Sequence, residues 1–322
     1  MKVSVLGPAG SYSEVAARAF LETVFKCSSP ELLFCSSIEN TVTRLFEEDE
    51  NGRVSDCAVI PIENSIEGAV GVSMDLLLEK EVSVISEFVL PVRHCLLVSE
   101  KIARTPGFSP DKITVVYSHP QGRYQCRTYI QEHLKNAVFI ETDSTSKAAL
   151  HVADMSKDNA DAAIGAAIAS AEAGKAYGLK TIDCGIQDNS NNSTRFLLLI
   201  RPESPPDFKA HTADAGSRLP PEFFSQTESG NIYYKTSIAV SPFHDRPGAL
   251  FRILEPFYEN GINLTRIESR PSKKSLGEYH FYIDFEGCPS DKKVDDSLKL
   301  ISGRSARLKI LGTYGRILPD RQ

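Results

Sequence analysis

The chain has 322 residues, 41% of them hydrophobic and 24% charged, and a formal net charge of -6. That length calls for two or three compact units, each able to bury a core, and the composition is that of an ordinary soluble globular protein. The acidic balance argues against a nucleic-acid partner but leaves room for a small anionic substrate in a local basic pocket. No run reaches transmembrane length, and Met1-Lys2-Val3-Ser4-Val5-Leu6 reads straight into a strand instead of a signal peptide, so a cytoplasmic protein with no membrane partner is expected. The cysteines (Cys27, Cys35, Cys57, Cys95, Cys126, Cys184, Cys288) are odd in number and scattered, which predicts reduced structural thiols, with neither disulfides nor a metal site.

The first half alternates strands and helices. Val3 to Leu6 is a short strand, and Gly7-Pro8-Ala9-Gly10 is a turn that either cradles an anion or simply lets two backbones approach. Ser11 with Glu14 forms a capping box for a helix with Ala16, Ala17, Phe20, Leu21 and Val24 on one face, and Ser36 with Glu39 repeats the signal ahead of Ile38, Val42, Leu45 and Phe46. Cys57 to Ile62 is a buried strand ending in Glu63, Asn64 and Ser65, which should open the helix carrying Met74 to Leu78. Val82 to Val98 holds several strand-like segments without a helical period, as expected where a chain passes between two lobes.

A second α/β unit follows. Ile113 to Tyr117 is a strand capped by Ser118-His119-Pro120-Gln121, with a helix continuing through Tyr129, Ile130 and Leu134. Val138 to Ile140 is a strand, Asp143 to Ser146 starts a helix bearing Ala148, Ala149, Val152 and Ala153, and Ala162 to Gly165 leads into an Ala-rich helix. Ile186 to Ile200 then places a run of Asp, Asn and Ser before Thr194, Arg195 and the apolar Phe196 to Ile200. Polar clusters thus recur at strand ends, where open α/β sheets present chemistry, and the first 200 residues read as two lobes around a cleft.

From 201 to 233 the chain is rich in Pro, Ser, Asp and Gly and reads as a linker. Residues 234–322 give strand, helix, strand, strand, helix, strand, the ferredoxin-like order. Pro247 suits the first turn of its first helix, and Pro256 inside that helix should kink or end it.

Five motifs in order, Ile60-Pro61-Ile62-Glu63-Asn64-Ser65, Ser118-His119-Pro120-Gln121, Asn192-Ser193-Thr194-Arg195-Phe196, Arg246-Pro247-Gly248-Ala249-Leu250 and Ile267-Glu268-Ser269-Arg270-Pro271, resemble those of prephenate dehydratases. The resemblance covers nearly the whole chain and implies a two-lobed catalytic region with the fold of type 2 periplasmic binding proteins, followed by an ACT domain sensing phenylalanine. It implies conversion of prephenate to phenylpyruvate with loss of carbon dioxide and water, without cofactor or metal, in a homodimer or homotetramer. Thr194 is then expected to donate to or relay a proton to the departing hydroxyl, with Glu63 as a source of that proton if burial raises its pKa, and Asn64 beside them. Arg195 is the expected fork for a substrate carboxylate, with Ser65, Ser118, Gln121 and Phe196 lining the rest. His119 is expected to be a turn residue. The effector is expected at Gly248, Ala249, Leu250, Asn263, Glu268, Ser269, Arg270 and Pro271, the last four residues coming from a partner chain. Departures from the family pattern are Gly122-Arg123-Tyr124-Gln125, from which either a different packing of the helix start or a second Arg near the cleft is expected, the long linker, and Pro256. A dehydratase preferring arogenate and a non-catalytic amino-acid sensor are the competing readings.

Overall fold

The computed structural model describes residues 1–25, 30–50, 52–155, 164–203, 234–243, 246–273 and 277–317. Most of the expected linker, 204–233, and Cys27 lie outside the described residues. The first lobe runs through β1 (Lys2–Leu6), α1 (Tyr12–Thr23), β2 (Glu31–Cys35), α2 (Ile38–Thr43), the small hairpin strands β3 (Glu48–Asp49) and β4 (Gly52–Arg53), β5 (Cys57–Asn64), β6 (Gly68–Ala69), α3 (Gly71–Glu79) and β7 (Ser83–Pro91). Apolar residues at both parities bury β1 and β5 on both faces. Val3, Val5, Cys57 and Val59 meet Ala16, Ala17 and Phe20 of α1, while Ala58, Ile60 and Ile62 meet Met74 and Leu77 of α3.

Ser11 caps α1 by accepting the Glu14 N–H, and the Glu14 carboxylate reaches back to the Gly10 N–H. The second expected box is displaced by one residue: Ser37, not Ser36, caps α2, accepting from the N–H of Asn40. Glu63 to Ser65 do not open a helix either, because β6 intervenes and α3 begins at Gly71.

The second lobe comprises β8 (Cys95–Ser99), α4 (Glu100–Ala103), β9 (Val115–Ser118), α5 (Pro120–Gln125), α6 (Arg127–His133), β10 (Val138–Glu141), α7 (Thr145–Met155), β11 (Gly165–Ala169), α8 (Ala171–Tyr177) and β12 (Leu179–Cys184), in sheet order β10-β9-β11-β8-β12. β13 (Ser193–Ile200) then returns to the first lobe between β5 and β7, antiparallel to both. The extended passage is therefore a lobe crossing as expected, since β7 and β8 belong to different sheets. The helix expected to run on to Leu134 is broken at Cys126, whose backbone (φ -117°, ψ 27°) leaves the helical region. Cys95 and Cys184, register partners on β8 and β12, form a disulfide, so the expectation of thiols throughout fails for this pair. A sequence separation of 89 residues hid the contact. Cys35, Cys57, Cys126 and Cys288 are buried, and burial pushes the Cys126 thiol up to about 12.

The C-terminal module is β14 (Tyr234–Pro242), α9 (Ala249–Glu259), β15 (Leu264–Pro271), β16 (Tyr279–Glu286), α10 (Lys292–Arg304) and β17 (Ser305–Ile317), with sheet order β15-β16-β14-β17. Helix α9 begins after Gly248, which adopts the left-handed φ of 83°, and Pro256 neither ends it nor stops it short of Glu259. The end of β17 pairs in parallel with β7, so one ten-stranded sheet runs through the first lobe and the module. Ala239, Tyr282, Leu311 and Tyr314 of the module close the same core as Ile60, Leu77 and Leu197. Among the described residues no helix is long and apolar enough to cross a membrane.

Candidate active site

A β-bulge decides which side chains meet. Phe196 pairs with Pro61 but Arg195 pairs with Glu63, leaving Ile62 without a partner on β13. Ile60 and Ile62 point towards the C-terminal module with Leu197 and Leu199, and strict alternation would send Asn64 after them. The extra residue instead sets Asn64 opposite Thr194 and Glu63 opposite Arg195. Consecutive residues of a strand face opposite ways, so Thr194 and Arg195 serve different sides of the sheet.

On the Thr194 side the structure builds a row of amides whose polarity is fixed from one end. The Asn64 Oδ1 accepts the backbone N–H groups of Ile66 (2.9 Å) and Glu67 (3.1 Å) in the turn after β5. Its Nδ2 therefore faces the other way, donating to Thr194 Oγ1 and Asn192 Oδ1, both at 2.9 Å, with the Ser193 carbonyl at 3.2 Å. Accepting from Asn64 leaves the Thr194 hydroxyl its own proton to donate. Asn192, its oxygen occupied, donates from Nδ2 to Gln125 Oε1 at 3.0 Å. The same Gln125 oxygen lies 2.8 Å from His94 Nε2. Gln125 Nε2 and His94 Nδ1 are buried and have no hydrogen-bond partner among the described residues. The row spans both lobes: Asn64 ends β5, Gln125 ends α5, and His94 and Asn192 lie on the two crossings. A cavity of about 480 Å³ opens beside Gln125 and Asn192, bordered also by Ile66, Arg127 and Asp188.

The sequence reading gave no role to Gln125, Asn192 or His94, although each is a polar residue set against an apolar or turn-forming stretch. Arg123, the second arginine considered for the cleft, lies over the Phe139 ring at 4.7 Å. Ser65 latches the turn to β13, its backbone N–H donating to the Ser193 carbonyl and its Oγ accepting the Ser193 N–H, each at 2.9 Å. Ser118 is buried with its Oγ 3.4 Å from the Ile168 carbonyl. Gln121 is half-buried, and its backbone N–H donates to His119 Nδ1, which makes His119 the cap of α5. Phe196 is a core side chain packed with Val59 and Leu198. Of the two readings of the glycine turn, close approach describes it. Gly10 N–H is taken by Glu14, the Gly10 carbonyl accepts from Ser170 Oγ (3.0 Å), and a Cβ there would lie 2.5 Å from Ala173 Cα of α8.

On the other side Arg195 enters a buried charge network. Its guanidinium reaches Asp284 (2.7 Å), Glu87 (3.2 Å) and Glu63 (3.3 Å), while Lys235 holds Glu87 at 2.7 Å and Arg266 holds Glu63 at 3.1 Å. Burial alone would lower the Arg195 pKa, but Asp284, Tyr314 and Glu87 outweigh it and raise it. Arg195 and Glu63, the expected substrate fork and proton source, thus pair with each other and with Asp284 and Arg266 of the C-terminal module.

In that module a cavity of about 1300 Å³ is lined by Gly248, Ala249, Leu250 and Pro271, with Phe251 and Tyr279, and α3 of the first lobe adds Asp75, Leu78 and Glu79. The other expected effector residues are placed by contacts within the chain. Arg270 pairs with Asp75 at 3.0 Å across Gly71, Glu268 lies 3.7 Å from Arg266, Ser269 pairs with Phe281 on the sheet, and Asn263 donates to Glu286 at 2.8 Å.

The sequence profile of prephenate dehydratase matches residues 3–204, and that of the ACT domain matches 244–299. A prephenate dehydratase of Methanocaldococcus jannaschii is 39% identical over 308 residues, 95% of each chain. Arogenate dehydratase 1 of Petunia hybrida is 32% identical over 329 residues, covering 98% of this chain and 66% of that one. The crystal structure of a prephenate dehydratase of Arthrobacter aurescens in complex with L-Phe is 30% identical with a TM-score of 0.75, covering 98% of this chain and 90% of that one.

Proposed function

The chain belongs to the prephenate dehydratase family, and we propose that the row from Thr194 through Asn64 and Asn192 to Gln125 is where it converts prephenate to phenylpyruvate. In this reaction the bond between ring and carboxylate breaks, its electron pair enters the ring, and the ring hydroxyl departs and is protonated to water. Aromatisation supplies the drive, so the protein's task is to orient the ring and to help a poor leaving group away. The carrying observation is the fixed polarity of Asn64: because its Nδ2 donates to Thr194, the threonine proton is free to meet the departing oxygen. Gln125 supplies neutral N–H donors for a carboxylate. Neutral donors suit the end that loses carbon dioxide, since a bound guanidinium would favour the charge that must vanish.

The cavity at Gly248 to Leu250 and Pro271 supports phenylalanine as a feedback effector, because the helix start offers backbone N–H groups to a carboxylate and Phe251 and Tyr279 offer apolar walls. Asp75, Leu78 and Glu79 place the catalytic lobe in that wall, so a ligand there senses how lobe and module sit together. Strand β15 is the outer edge of the sheet with Ile267 exposed, which fits assembly into a homodimer or homotetramer through edges.

The test is phenylpyruvate formation from prephenate, with arogenate run in parallel, for the native chain and Thr194→Ala. Turnover of prephenate and a loss of at least about a hundredfold in Thr194→Ala are expected. Undiminished turnover by Thr194→Ala would remove the assigned role. Phenylalanine formed from arogenate at the higher rate would reassign the substrate. Phenylalanine binding without turnover of either compound would leave a sensor.

A further inference from the structure

We propose that His94 is a positioning residue for the dehydration: with Asn192 it pins the Gln125 carbonyl oxygen, so that the Gln125 amide nitrogen is the atom presented to substrate. The inference rests on the reading of the row as the reaction site. A carbonyl oxygen only accepts, so the 2.8 Å contact requires the proton on His94 Nε2 and leaves Nδ1 as a bare lone pair. The terminal torsion of a glutamine is broad and two-fold, and a half-turn exchanges oxygen for nitrogen. That half-turn would set the Gln125 NH₂ against the Asn192 NH₂, whose polarity Asn64 fixes, and would require His94 to move its proton from Nε2 to Nδ1. Asn192 sets the direction of the Gln125 amide, and the Nε2-protonated His94 holds it there.

The surroundings fit a fixed orienting group. His94 is 3% exposed and Gln125 6%, so water does not compete for the shared oxygen. The His94 backbone is clamped between the crossings: its N–H donates to Gln187 Oε1 at 3.0 Å, and its carbonyl accepts from Gly185 (2.9 Å) and Ile186 (3.1 Å). Burial lowers the His94 pKa against the raising effect of the Gln125 hydrogen bond, which favours the neutral ring that this arrangement uses. The orphaned buried Gln125 Nε2 is the consequence: both its protons are left for a ligand.

Two measurements on the full chain test this. Nitrogen-15 spectra of the imidazole at neutral pH should show Nε2 protonated and Nδ1 bare. In kinetics, His94→Asn, which cannot reach Gln125, should lose about tenfold in kcat/KM, the worth of one buried hydrogen bond. His94→Gln, whose amide N–H falls near the position of Nε2, should recover most of it, and His94→Asn added to Gln125→Ala should cost nothing further. An Nδ1-protonated tautomer would overturn the proposal, as would equal losses in both His94 variants or a full additional loss in the Gln125→Ala background. Absence of prephenate turnover in the native chain would sink the functional reading instead, while the tautomer would still report whether His94 holds Gln125.

Discussion

Arg195 Nη1 lies 2.7 Å from Asp284 Oδ2, so the residue beside Thr194 is bonded directly to β16, an inner strand of the C-terminal module. Any displacement of β16 therefore pulls on β13 next to Thr194, the proposed proton donor. Asp284→Asn keeps the shape but removes the charge, leaving Arg195 to Glu87 and Glu63 alone. Breaking one partner from a buried pair is expected to cost about 3 kcal/mol, read from chemical denaturation. The phenylalanine concentration for half-inhibition should rise roughly tenfold, within the usual range of coupling between sites. An unchanged inhibition curve in a folded variant would show that the network holds the units together without carrying the signal.

The same pair makes an acid prediction. Burial would raise the Asp284 carboxyl, but Arg195, Ser237 and Lys235 outweigh it and hold the carboxyl below its usual 3.8. A lowered folded value contributes stability that is complete above about 3.8 and disappears as pH falls through the lower native value. Asn has no such dependence. The stability gap between native chain and Asp284→Asn should be constant from neutrality down to about pH 4 and then shrink. Urea unfolding at stepped pH measures it, and a gap that stayed constant down to pH 2 would mean that the carboxylate is not linked to folding.

Much of this was legible in the chain because it is local. The ferredoxin-like order of the module, the Ser11 cap, the crossing from Ser83 to Ser99 and the turn role of His119 follow from periodicity and turn chemistry within a few residues. What sequence spacing could not show depends on counting across strands. The bulge at Ile62 is visible only as a register with β13, and it decides that Asn64 joins Thr194 while Glu63 leaves it. Arg195 beside Thr194 reads as one site in the sequence, whereas a strand separates neighbours to opposite faces. His94, Gln125 and Asn192 come together from two crossings and a helix end, and Cys95 meets Cys184 across two strands distant in the chain.

Asn64→Asp tests the polarity of the row. The new carboxylate still accepts the Ile66 and Glu67 N–H groups, so the turn keeps its anchor. It offers only lone pairs to Thr194 and Asn192, and the Thr194 proton is then drawn towards it and away from substrate. A fall in kcat of about a hundredfold is expected, with a smaller change in KM, because the lost donation matters most as the hydroxyl departs. Steady-state kinetics decide it; a kcat near the native value would mean that Thr194 does not need to donate.

Two glycines at the junction of lobe and module should respond differently to alanine. At Gly312 on β17 a Cβ would sit 2.1 Å from the Val84 carbonyl oxygen on β7, and both groups are backbone. The strands must part there, disturbing the core that Leu311 and Tyr314 share with Leu197, at a cost of roughly 1–3 kcal/mol. At Gly71 the obstacle is the Arg270 guanidinium at 2.4 Å, the end of a flexible side chain that can swing aside at the expense of its contact with Asp75. That ion pair is partly exposed, so Gly71→Ala should cost less than about 1 kcal/mol. Urea denaturation of the two variants gives the ranking directly. A larger loss for Gly71→Ala would place the rigid seam at α3 and Arg270 instead of at β7 and β17.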